Sequence, residues 1–275
     1  MHLLIDADSL CYAAGFVANE PGQENLACYQ AGESIKRQLQ DTQCNTYQLY
    51  LSGSNNFRYA IYPEYKGNRV DMKRPIHLQA IREYLVGEWG ATVTDGIEAD
   101  DAVSIAQCIH QEVLDGNPFE TDETCISHID KDIDNTPGRH WNPTKKQFYT
   151  VSNEEAMRHF FWQIMMGDKV DNVPGWDGKM RQKTPKFMEP MMASMYEMPE
   201  PEGMLEYILS VHHADPVDIA RYMHCLWIQR KEDDEWINYL NDNTMEELGL
   251  KDAGVLLSRQ HLEQLVGVGH PSSNA

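Results

Sequence analysis

The chain has 275 residues, 41% of them apolar and 24% charged, which is the balance of a globular protein able to bury one large core or a main core with a smaller partner. Its formal net charge of −20 excludes attraction to nucleic acid or anionic membranes by bulk charge. Any nucleic-acid role must rest on local basic patches or on bound cations that reverse the local field.

In chain order, His2–Ile5 is a short apolar run ended by Asp6-Ala7-Asp8-Ser9, which predicts a buried strand that delivers acids to a loop. Leu10–Phe16 and Leu26–Gln40 read as helices separated by a turn region. Thr46–Leu51 alternates as a second strand and runs into the polar loop Ser52-Gly53-Ser54-Asn55-Asn56. The segment Phe57–Arg82 then carries Arg58, Lys66, Arg69, Lys73, Arg74 and Arg82 against only Glu64 and Asp71, with Tyr59, Tyr62 and Tyr65 interleaved. Ile76–Trp89 has amphipathic helical spacing, and Ala91–Thr94 reads as a third strand. It is followed by Gly96-Ile97-Glu98-Ala99-Asp100-Asp101-Ala102 and a helix over Ala102–Leu114. Thr124–Ile129 predicts a fourth strand ended by Asp130-Lys131-Asp132, and Gln147–Val151 a short further strand. Ser152-Asn153-Glu154-Glu155 opens a helix that runs to about Met166. Gly167–Lys186 is a turn region, Pro190–Pro201 is rich in Met and Pro, helical patterns continue to Leu265, and the last residues read as a tail.

Strands alternating with helices argue for an α/β layer with a largely parallel sheet, where sites form at the carboxyl ends of the strands. The acids at 6/8, 98/100/101 and 130/132 all follow predicted strands, and Asp168 and Asp171 add a fourth group. Acids this close repel one another, and a hard divalent cation offsets that cost. The two-residue spacing of Asp6/Asp8 and Asp130/Asp132 suggests side chains on one side of extended chain, and Glu98 and Asp101 share a helical face. The tyrosine-bearing basic stretch suits phosphates and unpaired bases. A second basic cluster, Lys179, Arg181, Lys183 and Lys186, adjoins Gly175 and Gly178, whose backbone N–H groups are candidates for a phosphate. The histidines show no zinc spacing, and the methionines read as core filler. None of the six cysteines forms a C-x-x-C pair, so they read as free thiols of a reducing compartment. No basic leader and no long apolar window precedes the fold, so a cytoplasmic location without membrane contact is expected.

Five ordered blocks resemble those of the flap-endonuclease superfamily, and within it the bacteriophage 5′–3′ exonucleases. They are Leu4-Ile5-Asp6-Ala7-Asp8, Tyr62-Pro63-Glu64-Tyr65-Lys66-Gly67-Asn68-Arg69, Glu98-Ala99-Asp100-Asp101, Asp130-Lys131-Asp132, and Gly167-Asp168-Lys169-Val170-Asp171-Asn172-Val173-Pro174-Gly175. The resemblance implies an α/β, PIN-like fold: a central, mostly parallel sheet flanked by helices over residues 1–166. A C-terminal helical region with a helix–turn–helix-type DNA-binding module over 167–265 and a flexible tail over 266–275 would follow. It implies a 5′–3′ exonuclease or flap endonuclease that uses two Mg²⁺ ions, with Mn²⁺ able to substitute. Its substrate would be duplex DNA with a 5′ end or flap, and RNA–DNA hybrid is a further candidate. A phage origin would make the location the host cytoplasm. The metal ligands implied are Asp6, Glu98, Asp100, Asp101, Asp130, Asp132, Asp168 and Asp171, with Asp8 ranked below Asp6. Lys66 and Arg69 take the catalytic role of stabilising phosphate charge. Arg58, Tyr65, Lys73, Arg74, Gly175, Gly178, Lys179, Arg181 and Lys183 are the expected DNA contacts.

Two departures stand out. Relatives commonly carry an aspartate after the second strand, where this chain has Leu51-Ser52-Gly53-Ser54. The hairpin frame from Pro174 to Thr184 lacks its second glycine and is followed by Pro185, which argues against the K⁺ site of that module. Two other readings compete. Asp6-Ala7-Asp8-Ser9 mimics the nucleophile motif of haloacid-dehalogenase-like phosphatases, with Asp6 forming a phosphoaspartate. The absent acid near Gly53 suits a catalytically weakened DNA-binding protein.

Overall fold

The structure is a computed structural model that describes residues 1–69, 72–113, 124–198 and 200–247. The predicted helix end at Leu114, the helical patterns from 248 to Leu265 and the tail at 266–275 lie outside the described residues. The elements in order are β1 (His2–Asp6), α1 (Ala7–Val17), α2 (Glu24–Thr42), β2 (Thr46–Leu51), α3 (Arg58–Ile61), α4 (Leu78–Trp89), β3 (Thr92–Val93) and α5 (Ala99–Val113). They continue with β4 (Thr124–Ser127), β5 (Gly138–Asn142), β6 (Gln147–Val151), α6 (Asn153–Met166), α7 (Glu189–Tyr196), α8 (Pro201–Val211), α9 (Pro216–Leu226) and α10 (Asp242–Glu247).

The chain divides into two compact units, neither continuous in sequence. The first comprises Met1–Asn56, Met72–Asn153 and Ile228–Glu232, and the second holds the remainder. In the first unit the six strands form one sheet in the order β3-β2-β1-β4-β5-β6. Strands β1 to β5 pair in parallel, and β6 closes the edge antiparallel to β5. The expected mostly parallel sheet is therefore present. The period-two alternation of strand side chains explains its two cores. Leu3, Ile5 and Cys125 pack with Cys11, Ala31, Ile35, Ile81 and Leu85 of α1, α2 and α4. Leu4 and Ile126 face the other way, onto Val103 of α5, Ile133 and Ile228. Because both faces are covered, β1 reads as an unbroken apolar run.

Strand β5 was not foreseen. Gly138-Arg139-His140-Trp141-Asn142 has neither alternation nor a β-branched residue, and only its ladders with β4 and β6 make it a strand. The acid pairs also differ from expectation. Only the first acid of each pair is in extended chain: Asp6 and Asp130 each precede a helical turn, and each side chain accepts the backbone N–H two residues on. The D-x-D spacing is thus that of a helix cap, with the second acid already inside the turn.

The second unit is helical, built around Phe160, Phe161, Ile164, Leu205, Ile208, Trp227 and Trp236. Seven of its buried residues are methionines (157, 165, 166, 188, 195, 204 and 223), so the methionine-rich stretch does fill core. Between α6 and a 3₁₀ turn at Lys186–Met188, residues 167–185 form successive turns with an Asp168–Val173 bridge and no helix. Gly167 has φ +66°, and a Cβ there would lie 2.3 Å from the Gly175 nitrogen. Backbone packs directly on backbone at this point, which only glycine allows.

Candidate metal centre

In the first unit the acids stand after the carboxyl ends of β1 and β4 and at the start of α5. Asp6 ends β1 with its carboxylate almost fully buried, and it accepts from the Asp8 N–H at 3.0 Å. Burial above all, then the charges of Asp8 and Asp130, push its carboxyl from 3.8 up to about 7. Asp130, at the matching end of β4, is exposed and accepts from the Asp132 N–H at 3.0 Å. Asp132 is half-buried with Lys131 Nζ 3.8 Å away. Glu98 and Asp100 are half-buried at the entry to α5.

Asp101 has a second occupation. It is fully buried, and its two oxygens accept from the backbone N–H groups of Glu98 and Gln229, each at 3.0 Å. The Glu98 carbonyl starts the helix by accepting from Ala102. Asp101 therefore supplies the return half of a capping box. The Gln229 contact comes from the returning strap Ile228–Glu232, for which the sequence offers no signal.

Asp8 is committed elsewhere. One oxygen takes Arg82 at 2.6 Å and the other takes the Ser52 N–H at 2.9 Å. Arg82 also donates to the Ser52 carbonyl, and the Ser52 hydroxyl accepts from the Ala99 N–H at 2.9 Å. Arg82 is thus an internal brace, and Ser52 links the loop after β2 to the acid-bearing helix start. Lys73 and Arg74 are exposed, with no ion pair among the described residues.

In the second unit Asp171 is the hub of the basic block. Its Oδ1 takes Arg69 Nη2 at 2.8 Å and lies 3.7 Å from Lys66 Nζ, while Oδ2 accepts from the Tyr65 hydroxyl at 2.9 Å. Lys66 adopts φ +56°, a left-handed conformation that a lysine holds only when its surroundings impose it. Here its N–H is pinned to the Asp171 carbonyl at 2.9 Å. Asp168 is buried and accepts from the N–H groups of Val170 and Asp171.

Several expected DNA contacts have other roles. Arg58 is 2% exposed and donates to the carbonyls of Cys225 and Trp227 at 2.9 and 2.6 Å, so its guanidinium locks α3 to α9 instead of meeting a phosphate. Tyr65 is buried, with Lys66 over its ring, and presents no face to a base. The Gly175 N–H donates to the Lys179 carbonyl and the Gly178 N–H to the Gly175 carbonyl, so neither is open to a phosphate. Arg181 is bound to Asp177 at 2.6 Å, and this contact is the main reason the Asp177 carboxyl falls to about 2. Lys179 is exposed but lies 3.5 Å from the same carboxylate. Lys183 and Lys186 remain exposed without an ion pair among the described residues.

A loss of the Asp8–Arg82 brace should be felt at the acid cluster. Arg82→Ala is expected to destabilise the fold by about 1–3 kcal/mol, because it strands the Asp8 carboxylate and the Ser52 carbonyl. Urea unfolding at neutral pH checks this, and an unchanged midpoint would remove the brace from the account.

No protein-family model and no curated protein sequence matches this chain. Solved structures match its fold over nearly its full length. A bacteriophage T5 protein co-crystallized with metal ions aligns with a TM-score of 0.50 at 16% identity, covering 96% of each chain. The T5 flap endonuclease in a pseudo-enzyme–product complex with DNA and metal ions aligns at 0.50 and 15% identity over 93% of this chain and 98% of that one. The T5 5′-exonuclease with divalent zinc ions bound aligns at 0.51 and 16% identity over 98% of both. A mostly parallel six-stranded sheet flanked by helices, followed by a helical C-terminal region, is thus the fold this chain shares with the bacteriophage T5 5′-nuclease structures.

Proposed function

We propose that this protein is a metal-dependent nuclease that hydrolyses phosphodiester bonds of DNA from or near a 5′ end. The observation that carries the reading is the buried Asp6 carboxylate at the end of β1, beside the parallel strand β4 whose following turn carries Asp130. A fold that holds like charges this close gains most from a divalent cation. The donors Asp6, Glu98, Asp100, Asp130 and Asp132 are all oxygens, as Mg²⁺ and Mn²⁺ require. Bound there, two such ions would polarise the scissile phosphate and lower the pKa of a coordinated water.

The chain's own residues then divide the work. Asp6 and Asp130 hold charge at adjacent strand ends, and Asp101 fixes the helix start that carries Glu98 and Asp100. In the second unit, Lys66 and Arg69 contact phosphate of the bound strand, with Asp171 setting their positions and Asp168 ordering the turn. Asp168 and Asp171 are the candidate metal-binding acids of the second unit. Lys73, Arg74, Lys179 and Lys183 supply exposed positive charge for the DNA backbone, against the overall acidity. RNA–DNA hybrid belongs to the same substrate class. The T5 relatives named above, bound to metal ions and to DNA, support the reading.

The deciding experiment is product sizing on 5′-labelled blunt, gapped and flap duplexes with and without Mg²⁺. Short 5′ products that appear only with a divalent ion are expected. Retained DNA binding with no product under Mg²⁺ or Mn²⁺ would favour a binding protein that has lost catalysis. Release of phosphate from a small monoester would instead favour the phosphatase reading.

Two further results are expected. Lys66→Met keeps the aliphatic stem over Tyr65 but removes the charge, so single-turnover cleavage falls at least roughly tenfold, the order of one lost charge stabiliser. A rate equal to wild type would take Lys66 out of the reaction. The second concerns pH. Between 3.8 and about 7 the folded chain holds the Asp6 proton more tightly than the unfolded chain does, so this group's contribution to stability falls as pH rises through that window. A divalent cation held by Asp6 would take the place of that proton. Mg²⁺ should therefore raise the Tm more at about pH 8 than at about pH 5, and equal shifts would remove Asp6 from the ligand set.

A further inference from the structure

Within the first unit, His128 follows β4, Asp134 lies in the 3₁₀ turn Lys131–Asn135, and His140 and Tyr149 face each other on β5 and β6. His128 Nδ1 lies 2.5 Å from the Asp130 carbonyl oxygen, and His140 Nε2 lies 2.9 Å from that of Thr136. A carbonyl oxygen only accepts, so both nitrogens carry hydrogen. In a neutral imidazole the other nitrogen is then a bare acceptor. Those two bare nitrogens, His128 Nε2 and His140 Nδ1, face each other at 2.9 Å. Two lone pairs at that distance repel unless a positive centre joins them. The Tyr149 hydroxyl is 3.0 Å from His128 Nε2 and 2.7 Å from Asp134 Oδ1, and its single hydrogen serves only one of them.

A shared proton would supply the missing charge, but the site opposes it. Both rings are almost fully buried, and burial disfavours a charged imidazolium. A metal dication has no such conflict, since it binds imidazole in its neutral form. One ligand atom from each of His128, Asp134 and His140 lies within 4.8 Å of the others. Each histidine already makes the hydrogen bond from its far nitrogen to a backbone carbonyl that orients metal-bound histidines.

We propose that His128 Nε2, His140 Nδ1 and the Asp134 carboxylate form a binding site for a transition-metal dication of the Zn²⁺ class, with the Tyr149 hydroxyl at its edge. Metal–nitrogen bonds of about 2.0–2.1 Å in tetrahedral geometry place the two nitrogens roughly 3.3 Å apart, so the rings need part by only a few tenths of an ångström. The site is chemically distinct from the acid cluster: two nitrogens favour a borderline ion, whereas the all-oxygen set favours Mg²⁺. Its role is structural. It would tie β4, β5 and the 3₁₀ turn together and, through His128 Nδ1, hold the Asp130 backbone.

The test uses the full chain, stripped with chelator and titrated with Co²⁺ in excess Mg²⁺ that occupies oxygen-only sites. The expected result is one equivalent of Co²⁺ with the intense visible absorption of a tetrahedral site, displaced by Zn²⁺. Asp134→Asn, a nearly isosteric change at a half-exposed side chain, should weaken binding by at least about tenfold, as should His140→Gln. Three outcomes would overturn the proposal. One is a folded wild type that retains no Co²⁺ or Zn²⁺ in excess Mg²⁺. Another is folded Asp134→Asn protein, checked by circular dichroism, that binds as tightly as wild type. The third is imidazole ¹⁵N spectra showing a shared proton between the two histidines that Zn²⁺ leaves unchanged. None of these readouts depends on DNA cleavage, so the nuclease reading and this site stand or fall separately.

Discussion

Asp130→Asn is expected to lower Mg²⁺-dependent cleavage of a 5′-flap duplex by on the order of 10²–10³-fold, while leaving folding and DNA affinity close to wild type. The reasoning is local. Asp130 is exposed, and its one described side-chain contact is the Asp132 N–H, which an asparagine oxygen also accepts. The cap survives and the charge does not. Removing that charge also relieves Asp6, whose carboxyl is raised partly by Asp130, so the same variant should titrate Asp6 at lower pH. Single-turnover rates at saturating enzyme, with DNA affinity measured in Ca²⁺, separate the two effects. Cleavage within a factor of two of wild type would take Asp130 out of the metal centre. Asp101→Asn is the poorer test, because Asp101 is buried and caps α5, so loss of activity there mixes chemistry with folding.

Gly53→Asp is expected to destabilise the protein by about 1–3 kcal/mol and to bring no gain in cleavage. The residue sits where the resemblance leads one to expect an acid, and filling the gap looks like a repair. The backbone rules it out. A Cβ on Gly53 would fall 2.0 Å from the Thr94 carbonyl oxygen, an atom of main chain and not the end of a flexible side chain. Thr94 is itself held to Leu51 by a backbone hydrogen bond of 2.9 Å, so relief would pull on the β2–β3 edge. Urea unfolding should show a lower midpoint with an unchanged slope. An unshifted midpoint would mean that the loop yields freely, and a faster enzyme would mean that the position does accept a ligand. The neighbouring Ser52 already has a different task, tying the start of α5 to this loop through its hydroxyl.

The sequence by itself determined five of the six strands and the location of the acids. Apolar runs that end in acids mark β1 and β4, helical spacing marks α2 and α4, and both signals are local enough to survive without tertiary context. The same local signals mislead where a second partner intervenes. D-x-D spacing suggested extended chain, but in each pair the first carboxylate turns back to cap the second residue's N–H. Basic residues suggested phosphate contacts, yet Arg58, Arg82 and Arg181 are bound inside their own units by carbonyls and carboxylates distant in sequence or hidden in a turn. Nothing in the spacing of His128, Asp134 and His140 announces a cluster, because β5 exists only through pairing with its neighbours. The Gln229 contact to Asp101 arises from a strap that returns 128 residues later. Which residues carry charge, and roughly which strand each follows, is written in the chain. Whether a charge is free to meet a ligand is decided by long-range hydrogen bonds, and these only the tertiary structure supplies.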